Sequence, residues 1–317
     1  MDKTSQQWNN RMGRRLKLRD LHILSVVVQW GSMAKAASHL AMSQPAVSES
    51  IANLEATLGV RLLDRTPRGV EPTLYAHAML KRGNVMFDEL RQAVKEIEFL
   101  ANPKVGEIRV ASGDTGVASL LAPAINELSQ RYPEVVVHVT AASAEPLEYP
   151  ELRGRTVDVV LARISRTFAH SELNVAILFD DPPRVVVGSQ SLWARRRKVA
   201  LADLVNERWT LSSDQVIHDL VHDAFRAKGL PPPKETVSAS SMLLRSRLLA
   251  TGRYVTVLPA SVLRYNATAW SLKALPIELE TAPMCVTLIT LKNRTVSPVV
   301  QLFIDEVRAI TQTMPRL

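Results

Sequence analysis

Between Lys17 and Leu58 three short helical patterns follow one another, separated by turns of only a few residues. Leu18, Leu21, Leu24 and Val27–Val28 recur at helical spacing and predict a first helix from about Lys17 to Trp30, stopped by Gly31. Ser32 is a good N-cap for a second helix through Ala36, Ala37 and Leu40, whose small residues let another helix approach closely. After Ala41-Met42, Ser43 is a second N-cap, and Pro45 is tolerated in the first turn because its missing N–H had no helical partner. The third helix runs to about Leu58. Val47, Ile51, Leu54 and Leu58 form its buried stripe, which leaves Gln44, Pro45, Ser48, Glu49 and Asn53 toward the outer face.

Two helices joined by a short turn, the second presenting short polar side chains, describe a helix-turn-helix at about residues 33–52. At the start of such a recognition helix, Gln44 can pair bidentately with adenine, Ser48 can bond base or phosphate, and Pro45 and Ala46 can touch thymine methyls. A small helical bundle in which Ser43 is only a cap fits the same spacing. Next, Arg61–Arg65 reads as extended, Thr66-Pro67-Arg68-Gly69 as a turn and Val70–Pro72 as a return strand. That is a two-stranded wing with Arg65 and Arg68 near its tip, placed to touch phosphates, or a surface hairpin with solvated arginines.

The charge is unevenly distributed. Net charge is +8 over 317 residues. Residues 1–73 hold 10 basic and 6 acidic residues, and residues 101–317 hold 25 and 21, so the same excess is concentrated in the shorter segment. Between Trp30 and Tyr75 there is no aromatic, which suits duplex DNA better than single strands that need stacking platforms. The first fifteen residues, with Trp8 and Arg14-Arg15, lack periodicity and read as a disordered extension.

The run GSMAKAASHLAMSQPAVSESIANLEATLGVRLLDRTPRGVEPT resembles the winged helix-turn-helix of LysR-type transcriptional regulators. The match extends from about Leu18 to Thr73 without a gap and includes SQPAVS, LE-x-x-LG-x-x-L and R-T-x-R-G-V. The resemblance implies that Ser43, Gln44, Pro45 and Ser48 face DNA, with Arg65 and Arg68 on the wing. One position departs: Glu49 stands where the family often has arginine, and Ser50 and Asn53 are uncharged where basic residues are common. Glu49 can accept a hydrogen bond from cytosine N4 or orient basic neighbours, but it cannot grip a phosphate.

Thr73 can cap a helix that meets no proline before Pro103, about 40 Å long at the usual rise. Met79, Gly83, Met86, Leu90, Ala93, Ile97 and Leu100 alternate in steps of four and three, the seam of a two-helix coiled coil or a face packed on its own domain. The resemblance implies a dimerising linker over residues 74–102, which makes Met79, Met86, Leu90, Ile97 and Leu100 the dimer contacts, and dimers reading an interrupted dyad in duplex DNA.

From Gly106 short apolar strands alternate with helices through the last helix at Val299–Thr311. This pattern predicts a mostly parallel α/β sheet covered on both faces. The layout resembles the two-lobed effector-binding domain of the same family, which is similar to periplasmic solute-binding proteins. The expected architecture is thus α/β with an N-terminal all-α winged helix-turn-helix at residues 16–73, a linker helix, and a regulatory domain at 103–317. Lobe 1 is placed at 103–163 and 274–317, lobe 2 at 167–265, with crossings near Ala162–Arg166 and Tyr265–Ala274.

Ligands in such folds bind at strand C-termini and helix N-termini, between the lobes. Ser112-Gly113-Asp114-Thr115 lies between a strand and its helix, either as an anion grip or as a helix cap. Arg163, after the Val157–Leu161 strand, pairs either with an effector carboxylate or with a hinge residue. Ser212, Ser213, Ser240, Ser241 and Pro259 would line the second lobe. Arg195-Arg196-Arg197-Lys198 reads as a solvated loop, and His218 with His222 as a helix face rather than zinc ligands.

No dinucleotide, P-loop or nucleophile-elbow motif occurs, and one cysteine, Cys285, excludes an internal disulfide or a Cys-rich metal site. No cofactor, metal or catalytic residue is expected. The N-terminus has no apolar signal region, so the cytoplasm is the expected location. The function expected is a DNA-binding regulator, a homodimer or homotetramer, responding to a small molecule such as a carboxylate or sugar, with RNA polymerase as a further contact. A DNA-binding protein with a fused α/β enzyme, or an effector-independent architectural protein, is the alternative.

Overall fold

The structure, a computed structural model, describes residues 15–66, 69–142, 149–282 and 284–313. The chain divides into two compact units, Met1–Arg91 and Gln92–Leu317. The N-terminal extension read from the sequence falls on the first fourteen residues, outside the described ones.

In the first unit α1 (Leu18–Trp30), α2 (Met33–His39) and α3 (Gln44–Leu58) pack around Leu21, Leu24, Val27, Ala36, Val47, Ile51 and Leu54, all buried. Gly31 and Gly59 end α1 and α3 in the left-handed conformation, at φ 61° and 72°, where a β-carbon is disfavoured. The oxygens of Ser32 and Ser43 accept from Lys35 and Ala46 N–H, both at 3.4 Å, capping α2 and α3. β1 (Leu63–Thr66) and β2 (Gly69–Pro72) pair antiparallel as the expected wing. Thr73 then caps α4 (Leu74–Ala101), accepting from Ala76 N–H at 3.3 Å.

The second unit contains two five-stranded sheets. The first has the order β4-β3-β5-β12-β6, from β3 (Val105–Ser112), β4 (Glu134–Ala141), β5 (Val159–Ser165), β6 (Leu173–Asp180) and β12 (Met284–Leu291). The second has the order β11-β7-β10-β8-β9, from β7 (Pro183–Gly188), β8 (Trp209–Leu211), β9 (Glu235–Ser238), β10 (Val255–Pro259) and β11 (Leu272–Ala274). The two largest apolar cores of this unit lie on one face of each sheet, around Leu161, Leu288 and Phe303 on the first and around Trp209, Phe225 and Val257 on the second.

The sheets are mixed rather than mostly parallel. β12 is antiparallel to both its neighbours, and β7 is antiparallel to β10 and β11. The crossings between lobes also lie later than the sequence reading placed them. Leu173–Asp180 belongs to the first sheet, because it pairs with β12 along its whole length. Leu272–Ala274 belongs to the second sheet, through its pairing with β7. The chain therefore crosses at Asp181–Pro182 and again before Met284, and the two crossings touch: Asp181 N–H donates to the Met284 carbonyl at 2.9 Å.

The helix after β3 starts as a short turn, Asp114–Gly116, widens to a π turn at Val117–Leu121, and continues as α5 (Ala122–Arg131). The remaining helices that bear on the site are α7 (Gln215–Ala227), α8 (Met242–Ala250) and α9 (Ala260–Asn266), with α6 (Pro150–Arg153) and α10 (Pro298–Thr313) against the first sheet.

Candidate nucleic-acid interface and ligand cleft

Helix α3 divides its residues cleanly. Val47, Ser50, Ile51 and Leu54 are buried, and Ser43, Gln44, Pro45, Glu49 and Asn53 are exposed, with Ser48 half-buried. The exposed set runs along the first three turns and is polar except for Pro45. Ser43 spends its oxygen on its cap, so its hydroxyl proton is what it can offer a partner. Ser50 turns inward, and its hydroxyl donates to Asp20 Oδ1 at 2.6 Å, tying α3 to α1. Glu49 is exposed and no ion pair holds it among the described residues, so no basic neighbour is oriented by it.

Two contacts position the wing. Glu55 Oε1 accepts from Leu62 and Leu63 N–H at 2.6 and 3.2 Å, so the acidic residue of the LE-x-x-LG run clamps the wing's base. Val70 N–H donates to the Gly31 carbonyl at 3.0 Å, and a β-carbon on Gly69 would collide with that same oxygen. Neither was picked out from the sequence, although both lie in the motifs that carried the resemblance. The side chain of Arg65 and all of Arg68 lie outside the described residues.

On α4, Met86, Leu90, Ile97 and Leu100 are exposed, and Val94 joins them. Met79 does not belong to that stripe. It packs on the core of its own domain, where Leu21 Cδ2 would stand 2.8 Å from a β-carbon on Gly83. The seam seen in the sequence is thus two faces in series, an inward one at Met79–Gly83 and an outward one from Met86 onward.

The ligand candidates of the second unit converge where the two sheets meet, but most are engaged. Ser112 is buried, and its hydroxyl donates to the Leu161 carbonyl at 3.0 Å. Thr115 is half-buried beside it. Asp114 caps no helix of its own lobe. Its Oδ2 accepts from Met242 N–H at 2.9 Å, the first N–H of α8 in the other lobe. Ser241 caps that helix too, accepting from Leu244 N–H at 3.3 Å. Ser212 is buried and accepts from Asp214 N–H at 3.3 Å, while Ser213 and Ser240 are exposed. Pro259 is buried at the end of β10, opposite Pro183.

Arg163 is inside β5, not beyond it, opposite Val286. Its Nη2 donates to the Asp181 carbonyl at 2.8 Å, and its Nε stands 3.4 Å from Asp181 Oδ2. Asp181 in turn accepts from Ser261 N–H and Oγ at 2.9 and 2.8 Å. Burial pushes the Asp181 carboxyl up, against the pull of Ser261 and Arg163, and pushes the guanidinium down. Of the two roles open to Arg163, this geometry is the hinge salt bridge.

The guanidinium that has no such partner is Arg245. It is buried on α8, and among the described residues its Nε has no hydrogen-bond partner and its guanidinium makes one polar contact, Nη2 to Met242 Sδ at 3.8 Å. Burial lowers its pKa, and the charges it feels are Asp114 from the first lobe and Asp214 at the N-cap of α7. A signal for it was present: Met242, Arg245, Ser246 and Leu249 are all buried at i, i+3, i+4 and i+7, so a charged residue stands in a core-facing stripe.

The remaining candidates are ordinary in place. Arg195–Lys198 are exposed, with Arg196 over the Trp193 ring. His218 stacks on His222 and pairs with Glu235 at 3.0 Å, and no metal-binding group of three occurs among the described residues. Cys285 is buried in β12, its thiol 3.6 Å from the Ile164 carbonyl. No helix of the described residues is long and apolar enough to cross a membrane.

Comparison with known proteins agrees with both units. Residues 18–77 match the model of the bacterial regulatory helix-turn-helix protein, lysR family, and residues 101–312 match the LysR substrate binding domain. The chain is 26% identical over 312 residues to the HTH-type transcriptional regulator GbpR of Azospirillum brasilense, covering 95% of this chain and 89% of that one. It shares its fold with full-length CbnR complexed with its target DNA, at TM-score 0.60 and 22% identity over 93% of this chain and 99% of that one. It also resembles a full-length OxyR from Pseudomonas aeruginosa, at TM-score 0.62 and 19% identity, covering 92% of this chain and 95% of that one.

Proposed function

The chain belongs to the LysR-type family of bacterial transcriptional regulators, with a DNA-binding helix-turn-helix and an effector-binding domain, and from that membership we propose how this molecule reads DNA and senses its ligand. The first two turns of α3 enter the major groove. Gln44 reads a base edge, Ser48 and Asn53 bond base or phosphate, Pro45 meets a thymine methyl, and Ser43 donates to backbone. The wing, through Arg65 and Arg68, holds flanking phosphates. The observation that carries this reading is the exposed polar face at the start of α3, backed by an apolar one. Glu49 lies on that face with no ion-pair partner among the described residues, which supports a role in base choice rather than phosphate grip.

Two copies join along α4 through Met86, Leu90, Ile97 and Leu100, and further pairing gives a tetramer. The exposed apolar stripe supports this, since such side chains on a helix are rarely left in water without a partner. The effector enters between the two sheets of the second unit, near Asp114, Thr115, Ser240, Ser241 and Pro259. Its binding changes the angle at the Asp181–Met284 crossing and thereby the spacing of the DNA-binding domains. The molecule works in the cytoplasm, as a regulator and not an enzyme, and passes its signal on by contact with RNA polymerase.

The test is a melting-temperature screen of the full-length chain against metabolites, followed by DNA footprinting with each stabilising compound. A ligand of the folded state at a hundred times its Kd adds about 2.7 kcal/mol. We expect a stabilising compound that also alters the footprint. A stabilising compound that leaves the footprint and DNA affinity unchanged would contradict the sensing role.

A further inference from the structure

We propose that the effector is an organic monoanion whose carboxylate is received by Arg245 and the Met242 N–H of α8, in exchange for the carboxylate of Asp114. This rests on the reading that the effector binds between the two lobes.

Arg245 is only 5% exposed. A buried guanidinium is normally paired, because removing it from water costs several kcal/mol that only a counter-ion with good hydrogen bonds offsets. Arg163, the comparable buried arginine of this region, has such a partner in Asp181. Among the described residues Arg245 has a thioether at 3.8 Å and no ion pair.

Its direction is set by the helix. Side chains on a helix lean toward its N-terminus, and Arg245 reaches back one turn to Met242. The guanidinium therefore stands at the start of α8, a helix end that favours an anion and where Ser241 already serves the Leu244 N–H. The anion found there belongs to the chain itself. Asp114 comes across from the first lobe to accept from Met242 N–H at 2.9 Å. Four residues on, the Ala118 carbonyl accepts from Asn266 Nδ2 of the second lobe at 2.6 Å.

The Asp114 contact and the Asn266 contact are two ties between the lobes, and only the first uses a charged acceptor. A ligand carboxylate with better geometry toward Arg245 than Asp114 has would take its place and release one tie while keeping the other. Asp114 and Asp214 both act on this one guanidinium, so a doubly charged phosphate ester would add repulsion that a singly charged carboxylate keeps smaller.

Two measurements on the full-length chain decide this. The first is the melting temperature of Arg245→Met in the absence of added compounds. Replacing an unpaired buried charge by an apolar chain of similar length should leave it unchanged or raise it. A fall of several degrees would mean that Arg245 holds the fold together, and would overturn the proposal.

The second is a thermal-shift panel of carboxylic acids, each paired with its uncharged amide, such as benzoate with benzamide and lactate with lactamide, with sulfate and phosphate alongside. We expect at least one carboxylate to stabilise where its amide does not, its affinity to fall roughly a hundredfold or more in Arg245→Met, and to rise in Asp114→Asn. The proposal is overturned if no carboxylate acts, if only sulfate or phosphate does, or if Arg245→Met responds as wild type does. A carboxylate that binds through Arg245 yet leaves DNA binding unmoved would instead overturn the sensing role and spare the anion site.

Discussion

Arg163 and Asp181 are joined twice, by a 2.8 Å hydrogen bond from Nη2 to the Asp181 carbonyl and by a 3.4 Å approach of Nε to its carboxylate, at the point where the chain leaves the first sheet for the second. Both side chains are removed from water, and the carboxylate also accepts from Ser261. Asp181→Ala should therefore cost about 3–5 kcal/mol, since it strands a buried guanidinium. Arg163→Met combined with Asp181→Ala should recover part of that loss. Urea unfolding of the two variants measures it, and equal loss in both would show that the pair is not the source.

Gly69 should accept no side chain. Its φ of 139° is disfavoured for other residues, and a β-carbon there meets the Gly31 carbonyl that holds Val70. Gly69→Ala is expected to cost about 1–3 kcal/mol and to weaken DNA binding by detaching the wing. Unfolding and DNA titrations check both effects, and an unchanged DNA affinity would mean that the wing's placement does not matter for binding.

Arg68→Ala should weaken specific and random duplexes alike and lower the salt slope of binding by about one. A wild-type slope would put Arg68 off the phosphates. Glu49→Arg should act in the opposite sense, raising affinity for random duplex and steepening the slope.

Cys285 should be inert. Burial raises its thiol pKa, with the nearby Asp180 adding to the effect, and the sulfur sits within β12. The native chain should resist alkylation at pH 8 and react fully once unfolded. Rapid native labelling would contradict the buried placement.

The helix-turn-helix was legible in the sequence because its signals are local. Ser32 and Ser43 announce their helices, Gly31 and Gly59 end α1 and α3, and the stripe Val47, Ile51, Leu54 points inward. The lobe crossings were not, because they depend on strand pairing at long range. Leu173–Asp180 joins the first sheet only through β12, more than a hundred residues later. The same non-local pairing hid the role of Arg163, whose partner Asp181 lies eighteen residues on. Met79 was misplaced for another reason: one helical period serves two partners in turn, and spacing alone does not say where the change occurs. Arg245 passed unremarked in the sequence, although it shares the buried stripe of Met242, Ser246 and Leu249.

The central claim is that α3 reads bases, and selection of duplexes from a random pool by the full-length chain tests it most directly. Wild type should enrich an interrupted dyad and bind it about a thousandfold or more tighter than a scrambled duplex. In Gln44→Ala that preference should shrink by about 1–3 kcal/mol for each base pair contacted, with random-duplex affinity nearly unchanged. If no dyad emerges, or if Gln44→Ala weakens both duplexes equally, the start of α3 does not read sequence.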